Sequence, residues 1–110
     1  MTTRALSPVF ENVEKLGAAW IGQLENGGLF LPTTERYRLG QRVYLLLTLP
    51  NEQEPRPVSG VVAWITPPGM TGRRTPGIGI HLDAREHALK STIESLLAAA
   101  SIDPDMSNTL

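Results

Sequence analysis

The side chains able to do chemistry are few, and their spacing limits what each can do. The sequence holds two histidines and no cysteine, which removes thiolate chemistry, disulfide frameworks and the common zinc patterns together. His81 and Asp83 stand two apart and His87 follows six residues after His81, so a metal site or an acid–base pair is conceivable. No third ligand stands at useful spacing, and the pattern predicts structural roles for both histidines. Serines and threonines are scattered without a partnered histidine, so a nucleophile–base pair is not supported. Neither Gly27-Gly28 nor Gly77 to Gly79 leads into the Lys and Ser or Thr of a phosphate loop. The residue types therefore predict no catalysis, no cofactor and no metal.

What remains are groups suited to recognition. Trp20 and Trp64 each read as a core residue or as an aromatic interface anchor. Arg73-Arg74 reads as a solvated loop tip or as a pair of guanidiniums offered to partner carboxylates. Ten basic against eleven acidic residues give a formal charge of −1, with no run of four like charges. Neutralising several phosphates requires a basic face, so nucleic acid is not an expected partner.

A chain of 110 residues is the size of one domain and buries enough surface for a core without staples. Met1 to Phe10 contains no apolar run of signal-peptide length and no stretch is long enough to span a bilayer. A cytoplasmic location without membrane insertion is the expectation. The domain is expected over residues 1–100, with a barrel over about 18–82 and a helix over about 84–100, followed by a polar, acidic tail over 101–110.

The elements that would position these groups are mostly strands. Met1 to Lys15 is weakly patterned, although Val9, Phe10, Val13 and Leu16 could form one apolar stripe on a helical turn or an extended arm. Ala18 to Leu24 reads as a strand, Glu25-Asn26-Gly27-Gly28 as a turn, and Leu29 to Leu31 as a second strand ended by Pro32. Arg42 to Leu49 has Val43, Leu45, Leu47 and Leu49 on one face and Tyr44, Leu46 and Thr48 on the other, which predicts a strand covered on both sides. In Val58 to Thr66, Val58, Val62 and Trp64 share a side, with a bulge or bend at Gly60. Gly77 to Leu82 points Ile78, Ile80 and Leu82 inward and leaves the glycine face open to a close neighbour. The period then changes to 3.6, with Leu89, Ile93, Leu96, Leu97 and Ala100 on one helical face and an Asp83–Glu86 capping box at its start. Strands closed by turns and followed by one amphipathic helix predict an all-β fold with a C-terminal helix, a small antiparallel barrel.

Two runs carry a family resemblance. Asn26-Gly27-Gly28-Leu29-Phe30-Leu31-Pro32, then Tyr37 to Gly40 leading into Val43 to Pro50, resembles the first half of a PilZ domain. Val58 to Pro67, then Gly72-Arg73-Arg74 and Gly77-Ile78-Gly79-Ile80, resembles the second half. The resemblance covers about Trp20 to Leu82 and implies a six-stranded antiparallel β-barrel with a C-terminal helix.

PilZ domains generally bind cyclic di-GMP through an Arg-x-x-x-Arg segment ahead of the barrel and an Asp/Asn-x-Ser-x-x-Gly motif. Aligning the final glycine on Gly28 puts Gln23 where Asp or Asn is expected and Glu25 where Ser is expected, and only Arg4 stands ahead of the barrel. That departure is similar to the branch of the family that serves type IV pilus assembly and twitching motility. The resemblance implies a non-catalytic partner of the pilus extension ATPase and of a regulator with degenerate GGDEF–EAL domains, with Trp64, Arg73, Arg74 and Trp20 as candidate contact residues. Cyclic di-GMP is not an expected ligand, the alternative being a receptor that binds it through atypical residues.

Overall fold

A computed structural model describes residues 5–67 and 75–100 of the chain. Six strands form one sheet: β1 (Ala5–Leu6), β2 (Trp20–Ile21), β3 (Gly28–Pro32), β4 (Arg42–Leu47), β5 (Arg56–Thr66) and β6 (Gly77–Leu82). A short helix α1 (Val13–Ala19) precedes β2, and a 3-10 turn at Ala84–Glu86 leads into α2 (His87–Ala99). The strand order is β1-β4-β5-β6-β3-β2. All pairings are antiparallel except that of β1 with β4, and no pairing joins β1 to β2 among the described residues. The expected all-β fold with its C-terminal helix is thus present, as an open six-stranded sheet and not a closed barrel.

The reason for the opening lies in the N-terminal segment. Residues Ala5 to Phe10 form an extended arm along β4, tied by the amide of Phe10 donating to the Thr48 carbonyl at 3.0 Å and the amide of Thr48 donating to the Pro8 carbonyl at 3.0 Å. Asn12 then starts α1, its side-chain oxygen accepting from the Lys15 amide at 2.8 Å. Ala18 therefore lies in a helix and not in the strand expected over Ala18 to Leu24. That strand is only Trp20–Ile21, too short to cover β3 beyond its pairs Trp20 with Leu29 and Ile21 with Gly28. The expected turn follows, with Gly27 at φ 76°, a conformation that side chains with a Cβ resist.

One core gathers the inward rows of the sheet. Val43, Leu45 and Leu47 of β4, Val58 and Val62 of β5, Ile78, Ile80 and Leu82 of β6 and Leu29 and Leu31 of β3 pack with Leu16 of α1 and Leu89, Ile93 and Leu97 of α2. Trp20 is fully buried in the same cluster. Leu96 is only half-buried at its margin and Ala100 is exposed, so the helix face is narrower than the 3.6-residue pattern suggested. The outer side of β4 is also uncovered: Tyr44 and Leu46 are exposed. The covered strand expected from two apolar faces is a half-exposed one.

A register shift in β5 changes the fate of Trp64. Gly60 stays in register with Val43 and Leu82, and its missing Cβ serves close approach to the carbonyl of His81. The irregularity falls between Val62 and Trp64 instead, at Ala63. One extra residue reverses the side to which later side chains point. Val62 accordingly stays in the core, while Trp64 pairs with Gly79 on the outer face and lays its indole where a Gly79 side chain would be. The open glycine face read from the sequence is filled by Trp64 at Gly79 and by Phe30 at Gly77.

Two outcomes follow for stability. Truncating the fully buried Ile93 to Ala is expected to cost about 2–5 kcal/mol, and the half-buried Leu96 clearly less, as read by denaturant melts of both variants. Gly79→Ala is expected to cost about 1–3 kcal/mol by pushing the indole aside, with a shift in tryptophan emission as the second readout.

Candidate functional site

Three features of the outer surface can be built from their residues. The first is the turn 22–27, which holds the positions aligned with the ligand motif. Gln23 and Glu25 are both exposed on it, and Gly28 is buried in the backbone of β3. The turn is pinned from two sides: the Asn26 amide donates to His81 Nε2 at 3.3 Å, and Lys90 Nζ of α2 donates to the Glu25 carbonyl at 3.2 Å. His81 is thus a structural acceptor on β6, and His87 is an exposed residue at the start of α2. Among the described residues no group of three His, Cys, Asp or Glu could hold a metal ion.

The second feature is a polar knot that the sequence pattern did not single out. Ser59 of β5 is 3% exposed, and its backbone reaches the end of the β5–β6 ladder. The Asp83 amide still donates to the Ser59 carbonyl at 3.1 Å, but β6 has ended at Leu82 and offers no carbonyl to the Ser59 amide. The Glu86 carboxylate takes that role at 2.9 Å. The Ser59 hydroxyl lies 2.7 Å from Asp83 Oδ2 and accepts from Arg85 Nη2 at 2.8 Å, while Arg42 Nη1 donates to the same Asp83 oxygen at 2.7 Å. The expected capping box does not form, because both carboxylates turn away from the helix start to satisfy Ser59. A buried amide and hydroxyl left unpaired would cost more than a missing cap.

This knot positions and does not react. The hydroxyl has a carboxylate beside it, yet it is closed from solvent and committed to Asp83 and Arg85, so no substrate atom can approach it. Only the buried serine in an otherwise apolar strand hinted at it, since its side-chain partners lie 24 to 27 residues away in sequence.

The third feature is the aromatic surface over the β6 glycines. Trp64 is half-exposed, and its indole N–H is buried without an acceptor among the described residues. Trp20, in contrast, has no exposed surface, so its core reading is the one the fold takes. Arg73 and Arg74 lie outside the described residues.

The knot makes acid sensitivity testable. The Ser59 hydroxyl, and after it the Arg42 guanidinium, hold the Asp83 carboxyl below the ordinary 3.8 against the opposing effect of burial. A depressed carboxylate stabilises the fold above its unfolded value and loses that contribution as pH falls through its folded value. Stability is expected to drop below about pH 3.8 in a step that Asp83→Asn removes, measured by urea melts across pH 7 to 2. Ser59→Ala is expected to cost about 1.5–3 kcal/mol at neutral pH in the same melts, through lost bonds to charged groups.

No curated protein matches the chain at a significant level. The family model of the PilZ domain matches residues 15–99, from within α1 through the last turn of α2, and so takes in β2 to β6, the pinned turn and the knot, but not β1. PilZ domains are a family of cyclic di-GMP-binding and adaptor modules, and with its sheet, C-terminal helix and matched span this chain belongs to the PilZ domain family.

Proposed function

We propose that the chain is a non-catalytic adaptor in type IV pilus assembly, which binds the pilus extension ATPase and a degenerate GGDEF–EAL regulator in the cytoplasm without itself binding cyclic di-GMP. The observation that carries the reading is the pinned turn: it exposes Gln23 and Glu25 where the family's ligand motif has Asp or Asn and Ser. Two phosphates and two guanine edges call for paired guanidiniums able to make bidentate bonds. Glu25 instead brings a carboxylate toward an anionic ligand, and Arg42, Arg56 and Arg85 are already engaged with carboxylates. The competing reading, a cyclic di-GMP receptor with atypical ligands, is favoured by family membership alone.

Partner contact is assigned to Trp64 together with Arg73 and Arg74. The register shift at Ala63 supports this for Trp64, because it spends a ladder irregularity on placing a large aromatic on the outer face.

Two measurements test the proposal. A ligand at 100 times its dissociation constant stabilises a fold by about 2.7 kcal/mol, several degrees for a domain of this size, so a thermal melt with excess cyclic di-GMP should be flat. A reproducible rise confirmed by titration calorimetry would establish the receptor reading. Trp64→Ala, folded by circular dichroism, is expected to weaken ATPase binding by about 2 kcal/mol or more, and an Arg73/Arg74 double alanine reports on the loop separately. Full-strength binding by the tryptophan variant would remove Trp64 from the interface.

A further inference from the structure

The turn ahead of β3 is held through one peptide group. The Gly27 amide donates to the Leu24 carbonyl at 2.9 Å, which closes a four-residue turn with Glu25 and Asn26 at its centre. Neither central residue has a positive φ and no described peptide is cis, which leaves type I among the hydrogen-bonded turns. The peptide between Glu25 and Asn26 is trans, so its N–H and C=O point in opposite directions. Its N–H donates to His81 Nε2 of β6 at 3.3 Å, and its C=O accepts from Lys90 Nζ of α2 at 3.2 Å.

Only a neutral ring with its hydrogen on Nδ1 can accept at Nε2. A proton added there makes the acceptor a donor, facing the N–H it used to bond. Across the ladder His81 meets Val61 of β5 and Gly28 of β3, neither of which titrates. The charged groups around it are Arg42, in register with Val61, and Asp83, paired with each other at 2.7 Å, and Glu25 and Lys90 at the turn itself. An acceptor for the charged ring therefore stands at the other end of the same peptide, the Glu25 carbonyl.

The geometry points to a proton-driven switch in this turn: protonation of His81 flips the Glu25–Asn26 peptide, converting type I to type II, so that the ring donates to the Glu25 carbonyl. Rotation of the central peptide is what separates the two types, and both keep the bond that closes the turn. Type II needs a positive φ at the third residue, and Asn26, which stands there, is of the non-glycine type that tolerates it best. The carbonyl exchanges an ammonium for an imidazolium, both charge-assisted donors. What changes is the face that the turn presents beside Gln23 and Glu25. The inference rests on the turn alone and stands apart from the adaptor reading.

The test follows the full chain by NMR from pH 8 to 5, the range in which histidines charge. The Asn26 amide and the Glu25 carbonyl carbon are expected to shift with the midpoint of the His81 ring. The contact between the Glu25 Hα and the Asn26 amide, long in type I and short in type II, should strengthen together with them. His81→Gln, whose side-chain carbonyl accepts without titrating, should hold type I throughout, and His87→Gln should leave the response intact. Asn26→Gly, which removes the cost of a positive φ, should raise the flipped share at acid pH about twofold or more. The proposal is overturned if the His81 ring stays neutral to pH 5, or if it titrates while that contact stays long. It is equally overturned if the response survives in His81→Gln, vanishes in His87→Gln or is unchanged in Asn26→Gly. Should His81→Gln not fold, the titration of the unaltered chain and of Asn26→Gly still decides.

Discussion

The buried end of the β5–β6 ladder is the constraint on which much else in the fold depends. Ser59 brings an amide and a hydroxyl into a place closed from solvent, one rung past the last residue of β6. Groups of that kind must be paired, and the chain supplies the pairing from the segment that joins sheet to helix. Glu86 and Asp83 are thereby held over β5, and α2 begins at His87 at the position their bonds allow. The phase of the helix follows, so that Leu89, Ile93 and Leu97 meet the inward rows of the sheet. Lys90, one residue on from Leu89, then reaches the carbonyl of Glu25 and holds the turn ahead of β3.

A second consequence of ladder geometry is the division between inner and outer faces. The inner face is continuous and apolar across β4, β5, β6 and β3. The outer face is assembled from irregularities: a register shift at Ala63 and the glycines at positions 77 and 79 of β6. Together they seat Trp64 and Phe30 against backbone, Phe30 buried and Trp64 keeping part of its ring at the surface, without any strand leaving the sheet. A partly exposed tryptophan is the kind of side chain that carries much of the energy of protein contacts.

Much of this was legible in the residues. Local periodicity of two marks β4, β5 and β6, and the change to 3.6 marks α2, because both patterns arise from backbone geometry within the segment itself. The Gly27 turn and the close packing over Gly77 and Gly79 were readable for the same reason: the missing side chain is a local property. Of the ligand-motif positions, Glu25 was placed correctly on a turn by the glycines that follow it, whereas Gln23 was read in a strand over Ala18 to Leu24 and lies on the turn.

What only the tertiary structure decided are the features in which one segment answers another. The pattern put Trp64 with Val58 and Val62, but the bulge that moves it outward is set by pairing with β6 and leaves no periodic trace. Asp83 and Glu86 look like a capping box in isolation, and they are diverted only because Ser59, on a different strand, presents a buried amide. Tyr44 and Leu46 look covered because they are apolar, yet whether another layer exists over β4 depends on how few elements the chain has to spend. Composition and spacing thus determined β4, β5, β6 and α2, whereas the segment from Ala5 to Ile21 took its form as arm, helix and short strand from its neighbours. Pairing register and the satisfaction of buried polar groups decided which faces those elements show, because both depend on neighbours far away along the chain.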